Sequence, residues 1–194
     1  LPDASLGQAA SAGSARLSAA ADQILELADA RAGYCLVLGG VDGSLAVELV
    51  RKSDLQVVVL EQDADRVKQI RAALDEAGVY GVRASVLAGS LGARKLGPML
   101  FNLIVSERHL LEGQLPSATA AETVRSLAPS GGTLVLGPAG DLGPAQRWLG
   151  QAGSRLVRSD DGKARWLVHE RPRLAGAGDW THQYGNAQNT SCSG

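Results

Sequence analysis

The chain has 194 residues, of which 45% are hydrophobic and only 4% aromatic, and its formal net charge is −1. This length suits one well-buried core and is too short for two ordinary domains with substantial tails. Charges of both signs are scattered, so no basic stripe marks a nucleic-acid or anionic-membrane surface. No apolar run approaches the roughly 18 residues that a membrane-spanning helix needs.

Apolar periodicity divides the chain into alternating helices and strands. In chain order we predict a helix over 15–30, a strand over 34–38, a helix over 44–52, a strand over 55–60, a helix over 63–77, strands over 82–87 and 100–105, a helix over 119–127, a strand over 133–137, a helix over 145–152, and strands over 155–158 and 164–169. Asp63 is expected to cap the third helix. Strands that alternate with helices at this spacing indicate a parallel sheet covered by helices on both faces.

The two ends of the chain differ in composition from its middle. Residues 1–14 are rich in Ala, Ser and Gly and predict a flexible leader, while 172–194 predict a polar tail or linker. The folded domain is expected over 15–171. Its last two strands flank an Asp-Gly turn at 161–162, which predicts an antiparallel hairpin.

A glycine-rich turn follows the first strand and opens the next helix. It contains Gly39, Gly40 and Gly43, with Asp42 among them. Such a turn lets the backbone approach a ligand closely, and the N-terminal amides of a helix favour anionic groups. The second strand ends at Glu61, about 20 residues further on, where an acid can accept hydrogen bonds from ribose hydroxyls. Together these features predict a site for an adenosine-containing cofactor.

The segment 37–46 resembles motif I of the class I S-adenosylmethionine-dependent methyltransferases, whose usual form is acid-x-Gly-x-Gly-x-Gly. The segment 127–135 resembles the stretch before the fifth strand of that family, and the resemblance extends over residues 17–170. It implies a three-layer Rossmann-like α/β fold with a mostly parallel seven-stranded sheet that ends in an antiparallel hairpin. It also implies S-adenosylmethionine as cofactor, bound by Gly39, Gly40, Asp42, Gly43 and Glu61, with Ser90 at the adenine.

Two positions depart from the motif. The family's middle glycine is replaced by Val41 and its acid by Val37. Valine resists positive φ and brings a branched side chain near the methionine moiety of the cofactor. One alternative is therefore a catalytically inactive scaffold or interaction domain. Another is a nicotinamide-dependent oxidoreductase, which the terminal hairpin and the lack of a Gly-x-Gly-x-x-Gly motif oppose.

Candidate proton acceptors follow the fourth strand. Glu107 and His109 are expected in a loop at the carboxyl edge of the sheet, where either could act as a general base. The alternative is that both are solvated loop residues. Methyl transfer depends largely on alignment of the reactants, so few catalytic side chains are required. The three histidines lie in separate segments, and the sequence predicts no metal site.

The segment 178–190 gives a second resemblance, to the opening segment of quinoprotein-dehydrogenase-like (PQQ-type) β-propellers. It implies a β-propeller domain or subunit as a partner and an exported, periplasmic location. The alternative is an unrelated polar tail, and the methyltransferase-like domain by itself suits the cytoplasm. The remaining expected partner is the small-molecule cofactor, with no nucleic acid.

Overall fold

The computed structural model describes residues 4–94, 96–129, 131–150, 155–158 and 165–172, with side chains left out for 4–14 and 155–158. The expected Asp-Gly turn at 161–162, residues 173–194 of the expected tail, and with them the propeller-like segment 178–190, lie outside the described residues.

Six helices and seven strands alternate along the described part of the chain. The helices are α1 (Ala4–Ala28), α2 (Ser44–Lys52), α3 (Ala64–Glu76), α4 (Glu107–Glu112), α5 (Ala120–Ser126) and α6 (Gly143–Leu149). The strands are β1 (Ala32–Leu38), β2 (Asp54–Glu61), β3 (Ala84–Ala88), β4 (Leu103–Ser106), β5 (Thr133–Ala139), β6 (Arg155–Arg158) and β7 (Arg165–Glu170).

The described strands form one seven-stranded sheet in the order β3-β2-β1-β4-β5-β7-β6. Strands β1 to β5 are mutually parallel, and β7 pairs antiparallel with both β5 and β6. This confirms the predicted α/β fold, with its mostly parallel sheet and its terminal antiparallel hairpin. The strand order reverses between β1 and β4, and ligands of open α/β sheets bind in the crevice at such a point.

Alternating side chains of the strands divide the core between the two faces of the sheet. In β1, Cys35 and Val37 pack with α1, α2 and α3, whereas Leu36 and Leu38 pack with α6 on the other face. All four side chains are nearly or completely buried. Burial on both faces explains why β1 is a continuous apolar run rather than an alternating one.

Capping side chains fix where the helices beside the sheet begin. Asp63 caps α3, as predicted, and accepts hydrogen bonds from the backbone N–H groups of Asp65 and Arg66. These two donors lower the pKa of the Asp63 carboxyl. In α5, Thr119 and Glu122 form a reciprocal capping box, each accepting from the other's backbone N–H.

Two elements differ from the sequence prediction. Helix α1 begins at Ala4, so residues 4–14 of the expected flexible leader are helical, because alanine stabilises a helix without contributing an apolar stripe. Residues 107–112, expected as a loop, form α4, since Ser106 caps this short helix by accepting from the His109 N–H. Within the described residues, no helix is long and apolar enough to cross a bilayer.

Candidate functional site

The glycine turn after β1 lies at the point where the strand order reverses. Gly39 and Gly43 have φ values of 64° and 85°, a region that favours glycine. Val41 is not among the described residues with positive φ, so valine at the middle position carries no backbone strain. The Gly39 N–H donates to the Leu60 carbonyl at 2.9 Å, which ties the turn to the end of β2.

The side chain of Glu107, the first residue of α4, binds the backbone of this turn. This side chain is fully buried. One carboxylate oxygen accepts from the N–H groups of Val41 at 2.6 Å and Gly43 at 3.2 Å, and the other accepts from the Leu45 N–H at 2.9 Å. Burial raises the pKa of Glu107, and the three amide donors oppose that rise. The Glu107 carboxylate thus accepts hydrogen bonds from backbone amides at the N-terminus of α2. Without it, these amides would be free to bind an anion.

The two other glycines of the turn lie close to protein side chains. A Cβ at Gly40 would lie 2.5 Å from Ile70 Cδ1, and a Cβ at Gly43 would lie 2.9 Å from Ile70 Cγ2. These glycines therefore let the turn pack against α3. Asp42 is exposed, and its side chain accepts from the Ser44 N–H at 2.9 Å.

Glu61 lies at the tip of β2 with only 2% of its surface exposed. One carboxylate oxygen accepts from the backbone N–H groups of Gln62 at 2.8 Å and Asp63 at 2.9 Å. The other accepts from the Arg108 guanidinium at 2.6 Å. The first pair of bonds fixes the carboxylate, and the second is an ion pair with a residue of α4.

Arg108 also lies across the glycine turn. A Cβ at Gly39 would lie 3.2 Å from Arg108 Cβ and 3.5 Å from Arg108 Nε, so the arginine stem runs directly over this glycine. The Arg108 backbone N–H donates to the Gly39 carbonyl at 2.9 Å, which holds α4 beside the turn. Its Nε lies 3.9 Å from a carboxylate oxygen of Glu112.

A cavity lies between the ends of β1, β2 and β3. Gly39, Glu61, Ser90 and Arg108 line it together with the segment 115–118. This segment is fastened over β2 by a 2.5 Å hydrogen bond from the Gln62 side-chain amide to Ser117 Oγ. The cavity volume is about 20 Å³, which is room for about one water molecule. The site is therefore closed around its polar groups.

The predicted site residues separate into two groups. Gly39, Glu61 and Ser90 meet at the cavity, where the Ser90 hydroxyl accepts from the Ala93 N–H at 3.3 Å. Gly40, Asp42 and Gly43 belong to the adjoining turn, beside the cavity rather than in its lining.

The two candidate bases, Glu107 and His109, lie outside the cavity lining. A general base needs access to its substrate, whereas the Glu107 carboxylate is sealed by backbone amides, so the geometry gives it a structural role. His109 is 5% exposed, and among the described residues its Nδ1 has no hydrogen-bond partner. Burial lowers the pKa of His109 and keeps the imidazole neutral at pH 7.

Arg108 is the site residue that sequence reasoning missed. It stands between Glu107 and His109 in a segment expected to be a loop, where an arginine has no distinctive spacing. Its signal is positional: residue 108 lies two positions after the end of β4, and β4 is the neighbour of β1. Carboxyl ends of adjacent parallel strands meet at one edge, so a residue after β4 can reach groups at the ends of β1 and β2.

Several solved structures with the same architecture are described as methyltransferases. A proposed S-adenosyl-L-methionine-dependent methyltransferase of Methanococcus maripaludis matches with a TM-score of 0.69 and 15% identity, over 82% of this chain and 87% of that one. An RNA methyltransferase of Salinibacter ruber, in complex with S-adenosyl-L-homocysteine, matches with a TM-score of 0.59 and 22% identity, over 80% and 92%. A TehB-like SAM-dependent methyltransferase of Corynebacterium glutamicum matches with a TM-score of 0.57 and 16% identity, over 87% and 100%.

This chain has the class I methyltransferase fold. No protein-family model matches the sequence, and no curated protein matches it. The methyltransferase fold accounts for the strand order, in which β7 lies between β5 and β6. It also places the glycine turn, Glu61 and Ser90 of this chain at one edge of the sheet.

Proposed function

We propose that this domain binds S-adenosylmethionine at the carboxyl ends of β1 and β2 and uses it for methyl transfer. The observation that carries the proposal is the buried Glu107 carboxylate, bound to three backbone amides at the start of α2. In a nucleotide site these amides would bind phosphate oxygens. Here they already have an acceptor from the protein itself.

The chemistry of the turn therefore favours a cofactor that brings no phosphate to it. A pyrophosphate would find these amides already bound to the Glu107 carboxylate. S-adenosylmethionine carries a sulfonium, an ammonium and a single carboxylate group and has no phosphate, so the adenosyl compound suits this turn better than a nicotinamide dinucleotide, whose pyrophosphate carries two negative charges. This holds in either protonation state of Glu107, because the side chain occupies the amides in both.

The polar groups of the cavity fit the rest of an adenosyl cofactor. Glu61 would accept from the ribose hydroxyls, since one of its carboxylate oxygens is fixed by backbone amides and the other points to Arg108. Ser90 lines the same cavity and would contact the adenine. Bound S-adenosylmethionine supplies an activated methyl group, and the residues of this chain hold and orient it. The complex of the Salinibacter ruber neighbour with S-adenosyl-L-homocysteine supports this proposal.

Thermal unfolding with S-adenosylhomocysteine, compared between the parent and a Ser90→Trp variant, tests this proposal. At about 100 times its dissociation constant, a ligand should stabilise the parent by about 2.7 kcal/mol. Ser90→Trp places an indole in the cavity and should abolish that stabilisation. Lys68→Trp, on the exposed side of α3, is the matched control and should respond like the parent. A response that survives in Ser90→Trp would place the ligand elsewhere and refute this site.

A second candidate is a non-catalytic scaffold or interaction domain. The specific observation in its favour is the cavity of about 20 Å³, because pockets for ligands of cofactor size are typically about 300 Å³ or larger. A β-propeller partner for such a scaffold rests on the sequence of 178–190 alone. If neither the parent nor any variant with an enlarged cavity binds an adenosyl compound, this second candidate is favoured.

A further inference from the structure

We infer that Arg108 is a built-in competitor of the cofactor, whose guanidinium holds the carboxylate that the ribose hydroxyls would use. This inference rests on the proposed function, because it concerns the same cavity. The 2.6 Å hydrogen bond from Arg108 to Glu61 uses the one carboxylate oxygen of Glu61 that backbone amides leave available. Cofactor and arginine therefore compete for one acceptor.

The position of the Arg108 side chain also opposes cofactor binding. The Arg108 stem lies against Gly39, at 3.2 Å from the position of a Cβ there. Gly39 also lines the cavity. The arginine thus fills the cavity from the turn to the tip of β2, and the small cavity volume follows from its placement together with segment 115–118.

A second carboxylate, that of Glu112, lies near the Arg108 guanidinium. Its Nε lies 3.9 Å from Glu112, one helical turn further along α4, and has no hydrogen-bond partner among the described residues. Glu112 is paired with Arg66 at 3.1 Å through its other oxygen. Rotation of the Arg108 side chain away from Glu61 would leave the guanidinium beside Glu112, where both groups are partly exposed to water. In the open state the Arg108 charge would lie beside Glu112, and the buried Glu61 carboxylate would keep its two backbone amide donors and gain the ribose hydroxyls.

The energetic consequence is a lowered apparent affinity. A site that is competent only while Arg108 is displaced binds with the intrinsic affinity multiplied by the fraction of open molecules. Removal of the arginine should recover the difference. Glu61 should then contribute to binding directly, because its carboxylate is free for the ribose.

Calorimetric titration of S-adenosylhomocysteine into four full-length proteins tests the inference: the parent, Arg108→Ala, Arg108→Met and Arg108→Ala/Glu61→Gln. Both single variants should bind at least about tenfold more tightly than the parent. Arg108→Met removes the charge but keeps most of the side-chain volume. It therefore controls for a collapse of the cavity in Arg108→Ala. Adding Glu61→Gln should then weaken binding to Arg108→Ala by about tenfold. Arg51→Ala removes an exposed arginine of an ion pair and is the control, with parental affinity.

The outcomes separate this inference from the proposed function. Equal affinity of the parent and the Arg108 variants would overturn the competition while leaving cofactor binding in place. Absence of binding in all of them, with folding verified by thermal unfolding, would overturn both. Tighter binding by Arg108→Ala that is insensitive to Glu61→Gln would show that Glu61 is not the shared acceptor and would overturn the inference as stated.

Discussion

Glu107 shows how a single side chain just after one strand can bind the turn that follows a neighbouring strand. In the register of the sheet, Leu38 of β1 lies beside Ser106 of β4. Glu107 comes next and reaches under the turn to the amides of Val41, Gly43 and Leu45. At Val37, where motif I has its acid, this chain is apolar. The carboxylate that contacts the turn comes instead from the residue that follows the neighbouring strand β4.

This role predicts a large effect of Glu107 on stability. Glu107→Ala leaves three amides without an acceptor, and at about 1–3 kcal/mol for each buried unsatisfied group, the free energy of unfolding should fall by about 3 kcal/mol or more. Glu107→Gln keeps one acceptor oxygen and should cost less. Urea denaturation measures both, with Glu76→Ala on the exposed end of α3 as control, expected within about 0.5 kcal/mol of the parent. Equal stability of Glu107→Ala and the control would contradict the role.

His109 predicts a pH dependence of stability. Burial lowers its pKa in the folded protein below the ordinary value of 6.5, so the unfolded chain takes up a proton first as the pH falls. The free energy of unfolding should therefore decrease from pH 7.5 towards pH 5.5. His109→Leu should lose less stability over this range than the parent does. Glu107 has a raised pKa and acts in the opposite direction, but it is present in both proteins and cancels in the difference. Parallel pH profiles would show that His109 does not titrate as described.

At the scale of elements, the turn after β1 and the helix α3 form one packed unit. Gly40 approaches Ile70 and Val59 so closely that a Cβ would lie at 2.5 Å and 2.8 Å from their side-chain atoms. The glycines of the turn therefore serve packing as well as any ligand. Because this packing positions the turn relative to Glu61, a disturbance here should reach the proposed cofactor site.

Gly40→Ala should destabilise the protein by about 1–3 kcal/mol, the usual cost of overpacking a core. Ile70→Val removes the nearest atom, Cδ1, and should recover part of that loss in the double variant. Gly140→Ala is the matched control, since a Cβ there has no neighbour within 4 Å. Denaturant unfolding of the four proteins gives the coupling energy. If the two substitutions were simply additive, the contact between the turn and α3 would not limit the side chain at position 40.

At the scale of the whole molecule, apolar periodicity in the sequence predicted the strands of the sheet. It did not predict the short helix α4 or the helical structure of residues 4–14. Continuous apolar runs such as 34–38 identified the buried strands, because parallel strands are buried on both faces. Residues 4–14 gave no stripe, since small side chains support a helix without marking a face. Helix α4 has six residues, too few for a periodic pattern, and its capping by Ser106 shows only in three dimensions.

The candidate site divides in the same way. Gly39, Glu61 and Ser90 follow different strands, and their meeting at one cavity follows from the parallel arrangement that the sequence predicts. The contacts of Glu107 and Arg108 could not be predicted, because they depend on the start of α4 and on side-chain directions across the β1–β4 boundary. Glu107 binds the amides of the turn, and Arg108 binds Glu61; we propose that these two contacts govern which ligand the site accepts.

We propose that this edge of the sheet binds an adenosyl cofactor that has no phosphate. The most direct test is to titrate the chain calorimetrically with S-adenosylhomocysteine and, in parallel, with NAD, each up to millimolar concentration. Occupation of the α2 amides by Glu107 predicts saturable binding of S-adenosylhomocysteine and no heat of binding from NAD. Binding of NAD with equal or higher affinity would contradict that account.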